Sequence, residues 1–183
     1  REIVDKDLIS FHVPGHKLGK IYDRLGYTPI LEKMYKMDTT EIIGTDNLHL
    51  PEGIIRKSQQ RASEAFKSDY TYYLINGTTC GIQASIMAIC SPKDKLIVNR
   101  DCHQSVINGC ILYINSNINK ENNIINGVDI NEVINVINSN LDAKAILLTY
   151  PTYYGCTYDL KTICDYAHNK NMIVIIDEAH GAH

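Results

Sequence analysis

Tyr72-Tyr73-Leu74-Ile75-Asn76-Gly77-Thr78-Thr79-Cys80-Gly81 is the stretch on which the fold turns. Tyr72 to Ile75 is bulky and uncharged, the pattern of a short buried strand. Asn76-Gly77 breaks it. Thr78 or Thr79 can then cap a helix whose apolar residues, Ile82, Ile86 and Ile89, return at helical spacing. A strand, a glycine turn and a hydroxyl-bearing helix start together make an anion site. Backbone N–H groups point outward there, at the positive end of the helix dipole. The dipole contributes only about 0.3–1 kcal/mol at an exposed end, so hydroxyls and N–H groups must hold most of a phosphate. On this stretch alone, a capped helix that holds nothing is the simpler reading.

Toward the C-terminus the pattern alternates. Lys95–Asn99 reads as a strand, His103–Ile111 as a helix and Leu112–Asn115 as a short strand, followed by an Asn-rich surface loop to Asn126. Asp129 caps a helix to about Asn138, with Ile130, Val133, Ile134 and Ile137 on one stripe. Ala145–Thr149 is a strand, Asp159 opens a helix to about Asn169, and Met172–Ile176 is a strand running into Asp177-Glu178-Ala179-His180. Continuous apolar strands separated by helices predict an α/β fold, a mainly parallel sheet with helices on both faces. Upstream, Pro51 opens a helix to about Lys67, with Glu52 in its first turn and Ile54, Ile55, Ala62, Ala65 and Phe66 on the buried face. Residues 1–50 carry little periodicity and read as an irregular N-terminal segment.

Composition narrows the class. At 183 residues the chain can bury a core, and 44% hydrophobic with 21% charged residues is ordinary for a globular protein. A net charge of −3 shows no basic field for nucleic acid or an anionic membrane. No signal peptide or membrane-length apolar run is visible. The cysteines (Cys80, Cys90, Cys102, Cys110, Cys156, Cys164) form no C-x-x-C, which fits reduced thiols in a cytoplasmic protein. The start at Arg1 and the stop at His183, just after a strand, suggest a piece of something longer.

In a parallel sheet, ligands collect outside the carboxyl ends of the strands. Polar clusters lie at four such places: Asn76–Gly81, Arg100–Ser105, Tyr150–Gly155 and Asp177–His180. Each alone is an ordinary loop; four in one sheet, one of them an anion site, favour a ligand. Asp177-Glu178-Ala179-His180 also spells a helicase acidic box. That reading needs a G-x-x-x-x-G-K-[ST] phosphate loop, and Gly15–Ile21 has one residue too few between its glycines. His12/His16 and His180/His183 have ligand-like spacing, but no H-E-x-x-H exists, so no metal is expected.

FHVPGHK at 11–17, TTEIIGTDNLHLPEGII at 39–55, INGTTCGIQASIMAIC at 75–90, NRDCHQS at 99–105, LTYPTYYG at 148–155 and IIDEAHGAH at 175–183 together resemble the Orn/Lys/Arg decarboxylase family. These are pyridoxal 5'-phosphate enzymes of the aspartate-aminotransferase fold, and the segments keep the family's order over nearly the whole chain. The resemblance is to the short form, without an N-terminal wing domain. It implies that residues 51–183 are the first part of the large, cofactor-binding domain. It implies that Gly77, Thr78 and Thr79 bind the cofactor phosphate and that His103 stacks on the pyridine ring. Asp177 would pair with the ring nitrogen, Ala179 would lie under the ring, and His180 would sit near the phosphate or the lysine. His12, His16, Glu41 and Asp46 would line the substrate entrance or a dimer seam, an acid there meeting the cationic tail of a basic amino acid. A homodimer or larger homo-oligomer is implied as well.

One departure stands out. The family's Schiff-base lysine lies in an S-x-H-K stretch beyond the acidic segment, whereas here the last lysine is Lys170. The chain as given is therefore expected to be inactive, and the Tyr72–Ile75 strand to lack its pairing partner. Another reaction on the same cofactor, such as transamination, and a non-catalytic remnant remain as alternatives.

Overall fold

The computed structural model describes residues 24–26, 46–111 and 128–181. The chain divides into two compact units, residues 1–73 and 74–183. The strand expected at 112–115 and the Asn-rich loop to 126 lie outside the described residues.

In the first unit, helix α1 spans Ile54–Phe66 and starts later than Pro51. Its N-cap position is Gly53, which has no side chain to offer, so the cap comes from a distance. Asp46 Oδ1 accepts from Asn47 N at 2.9 Å and Glu52 N at 3.0 Å, and Oδ2 accepts from Gly53 N and Ile55 N, each at 2.8 Å. The helix ends at Lys67 in the left-handed region (φ 54), with Ser68 N closing onto Ser63 O at 3.0 Å. The face expected to be buried is largely open: Ile54 is 63% and Phe66 71% exposed, and Gln59 is the buried residue of α1. Apolar periodicity marks a face that could be covered; it does not supply the cover.

The second unit holds helix α2 (Gly77–Ile89), β1 (Lys95–Val98), helix α3 (Gln104–Gly109), helix α4 (Ile130–Ser139), β2 (Ala143–Thr149), helix α5 (Leu160–His168) and β3 (Ile173–Asp177). The strand expected at Tyr72–Ile75 is absent. That stretch is irregular, with Tyr72 75% and Ile75 71% exposed. β-propensity is realised only where a neighbouring strand completes the ladder, and among the described residues none pairs with it. Asp129 and Asp159 cap α4 and α5 as their sequence positions predict, their carboxylates accepting from Asn131 N at 2.8 Å and Thr162 N at 3.2 Å.

The three strands are parallel in the order β1-β2-β3. Central β2 is buried along its length apart from Lys144, because helices cover both sides of the sheet. On one side Ile82, Ile86 and Cys90 of the α2 region pack with Val106, Cys110, Leu147, Val98 and Ile175. On the other, Ile137 of α4 and Ile163 and Ala167 of α5 pack with Ile146, Leu148, Val174 and Ile176. The expected α/β architecture is present.

Candidate active site

Side chains of a strand alternate between faces. Leu147 and Ile175 face the α2–α3 side, so Thr149 and Asp177, two residues further on, project to that side at the carboxyl end of the sheet. They are register partners across β2 and β3. Helix α2 packs on α3 and on β3. Its C-terminus enters β1 through the turn Ser91–Asp94, closed by Asp94 N donating to Ser91 O at 3.0 Å. A helix lying along the sheet and entering β1 at its start has its own N-terminus toward the strands' carboxyl ends. Gly77, Thr78 and Thr79 are therefore at the same end and on the same side as Asp177. His103, which follows β1, opens α3 there too.

The start of α2 differs from expectation. The helix begins at Gly77, with Asn76 at the N-cap position, and the Asn76 side chain makes no cap hydrogen bond. Thr78 and Thr79 are not caps; they stand exposed in the first turn. Gly77 makes the earlier start possible, since its φ of +66 is one that L side chains rarely adopt. The result is a thirteen-residue helix whose first N–H groups have no side-chain cap, flanked by two exposed hydroxyls.

His103 is exposed and caps α3 with its own ring. Nδ1 accepts from Ser105 N at 3.1 Å and lies 2.8 Å from Ser105 Oγ. A backbone donor at Nδ1 leaves the proton of the neutral ring on Nε2 and fixes the ring plane. Asp177 is only 4% exposed. Its Oδ1 accepts from Ala179 N at 3.1 Å and its carbonyl accepts from Tyr150 N at 2.9 Å. Oδ2 has no hydrogen-bond partner among the described residues. Nearby, burial pushes the Cys102 thiol up to about 11, with Cys110, Asp101 and Asp177 adding to the effect. Ala179 and His180 are exposed, and His180 meets Tyr153 edge-to-face at 5.5 Å. Gly181 packs so closely on Pro151 that a β-carbon there would overlap the proline ring.

Three residues were not foreseen from sequence. Asn99 Oδ1 accepts from Thr149 N at 3.3 Å, and the Tyr158 hydroxyl donates to Thr149 O at 3.0 Å. Burial, with Asp101 next, raises the Tyr158 phenol well above its ordinary value, which keeps it a donor. Thr149 itself is 2% exposed, and its Oγ1 is buried without a partner among the described residues. An unsatisfied buried hydroxyl costs about 1–3 kcal/mol. The one available hint was a polar residue ending an otherwise apolar strand.

Of the remaining candidates, His12, His16 and Glu41 lie outside the described residues. Asp46 is described, and its carboxylate is occupied by the backbone of its own unit. The Glu52 N–H, then those of Asn47, Gly53 and Ile55, hold it at about 2, below the usual carboxylate range. Among the described residues, no group of three or more His, Cys, Asp or Glu side chains gathers to hold a metal ion. No described helix is long and apolar enough to cross a membrane.

The donor set suits a phosphorylated, flat, cationic heteroaromatic group: uncapped N–H groups with two hydroxyls, a planar ring held at one edge, and a buried carboxylate with an oxygen to spare. Pyridoxal 5'-phosphate has these features.

Residues 1–183 match the family described as Orn/Lys/Arg decarboxylase, major domain. The chain is 36% identical over 181 residues to an arginine decarboxylase of Bacillus subtilis, covering 96% of this chain and 37% of that protein. It is 35% identical over 181 residues to an arginine decarboxylase of Bacillus cereus, covering 96% and 39%. An ornithine decarboxylase of Haemophilus influenzae is 27% identical over 117 residues, covering 61% and 16%. The chain thus spans less than two fifths of the length of these curated relatives.

Proposed function

The chain belongs to the Orn/Lys/Arg decarboxylase family, and from that premise we propose that it supplies the cofactor cradle of a pyridoxal 5'-phosphate-dependent basic amino acid decarboxylase. The observation that carries this is Asp177: a buried carboxylate with one uncommitted oxygen, on the side and at the end of the sheet where α2 begins. When bound, the cofactor supplies an electron sink for the pair released as CO2 leaves the α-carbon.

The chain's own residues do the rest. The first-turn N–H groups of α2 and the Thr78 and Thr79 hydroxyls hold the phosphate dianion. His103, fixed through Nδ1, offers a flat face against which the ring is clamped. Asp177 keeps a proton on the ring nitrogen. At an effective dielectric near 20, opposite charges about 4 Å apart attract by roughly 4 kcal/mol, enough to hold that proton at neutral pH. From the loop after β3, Ala179 would lie under the ring and His180 near the phosphate or the lysine.

Arginine is the proposed substrate, because the two arginine decarboxylases match at higher identity and over more of the chain than the ornithine decarboxylase does. A homodimer and a cytoplasmic location complete the proposal. The test uses the full reading frame purified with pyridoxal 5'-phosphate. CO2 release is expected from arginine above ornithine and lysine. Asp177→Asn should lower turnover by about a hundredfold or more while leaving the phosphate grip in place. Failure of the wild type to bind the cofactor, or an Asp177→Asn variant as active as wild type, would remove this reading.

A further inference from the structure

Thr149 ends β2 with the backbone fully committed and the side chain not committed at all. Its N–H is taken by Asn99 Oδ1 at 3.3 Å and its carbonyl by the Tyr158 hydroxyl at 3.0 Å. The hydroxyl, in a residue 2% exposed, is the one buried side-chain polar atom without a partner among the described residues. Buried hydroxyls are normally paired, so this one marks a place for a further polar partner.

The neighbourhood names that group. Thr149 and Asp177 are register partners in a parallel pair, on the same face, on strands about 4.8 Å apart. Asp177 is held in place by its carbonyl, which accepts from Tyr150 N, and by Oδ1, which accepts from Ala179 N. With both backbones tied, the freedom left is side-chain rotation. A threonine χ1 moves between staggered wells, and a step between them re-aims the hydroxyl. The Asp177 carboxylate, on the register partner and with one oxygen not hydrogen-bonded among the described residues, is the acceptor beside it.

We propose that Thr149 is a positioning residue for Asp177: its hydroxyl donates to the Asp177 carboxylate when that carboxylate turns to meet a bound cationic ring nitrogen. The hydrogen bond belongs to the arrangement in which Asp177 meets the ring nitrogen. It fixes the carboxylate plane while each oxygen keeps a lone pair for the ring. This rests on the cofactor reading above, and its test separates the two.

The full-length protein is prepared as wild type, Thr149→Ser and Thr149→Val. Each is measured for pyridoxal 5'-phosphate affinity by equilibrium dialysis and, with cofactor removed, for melting temperature. Valine keeps the shape and loses the donor; serine keeps the donor. The expected result is a Kd for Thr149→Ser within about twofold of wild type and a Kd for Thr149→Val about tenfold weaker, one charge-assisted hydrogen bond. Cofactor-free Thr149→Val should melt no lower than wild type, because it has lost only an unpaired hydroxyl. Equal affinity of Thr149→Val and wild type overturns the proposal while leaving the cofactor reading standing. So does a Thr149→Ser variant as weak as Thr149→Val. A cofactor-free Thr149→Val that melts lower than wild type overturns it too, by showing a structural partner for the hydroxyl. If wild type binds no cofactor, both readings fall together.

Discussion

Asp46, half-buried, and Asp177, buried, are both acids next to backbone N–H groups, yet their situations are opposite. Asp46 spends both oxygens on the start of α1, and the Glu52 N–H foremost among these contacts depresses its pKa to about 2. An acid depressed from an unfolded value near 3.9 contributes stability that is complete above about pH 4 and is lost as pH falls through its folded value. Asp46→Ala should therefore lower the melting temperature by a few degrees at pH 7, and the gap from wild type should close as pH approaches 2. The thiols give a second residue-scale expectation. Burial raises Cys90, Cys102 and Cys110, so iodoacetamide at pH 8 should leave all three unlabelled until denaturant is added. Asp129 and Asp159 were readable in advance because a cap is a local matter of a few residues. Thr149 was not, because its meaning depends on which residue of another strand stands beside it.

At the scale of elements, β2 carries the core. Leu147 is fully buried against α2 and α3. Leu147→Ala should cost about 2–5 kcal/mol, read by denaturant unfolding. The loop after β3 is constrained differently. Gly181→Ala puts a methyl group into Pro151, so the segment carrying Ala179 and His180 must shift. Affinity for pyridoxal 5'-phosphate should fall severalfold in that variant, measured by the same dialysis. The strands β1, β2 and β3 were visible as apolar runs, α4 as an apolar stripe behind Asp129, and α5 by its opening acid, Asp159. Tyr72–Ile75 was misread for a physical reason: an apolar, aromatic run is strand-like only when another strand offers hydrogen bonds. The start of α2 was misplaced because a glycine at positive φ lets the helix begin before the threonines that would ordinarily cap it.

For the molecule as a whole, the parallel sheet with helices on both sides was legible from alternation alone, and the gathering of polar clusters at the strand ends followed from it. What the pattern did not reveal was which cluster members touch. Within residues 74–183, β2 is the strand paired on both sides among the described residues. Its amides should exchange with solvent more slowly than those of β1 and β3, as resolved by hydrogen–deuterium exchange. The ladder does not stop at the last strand residue. Tyr150 N still donates to Asp177 O, at 2.9 Å. The acid is thus carried by the rim of the sheet and not by a free-standing loop. Anyone grafting foreign segments into this scaffold would find the Tyr150–Gly155 turn intolerant, because lengthening it would tug at a carboxylate remote in the chain. The graft point to choose is on the far side of that turn.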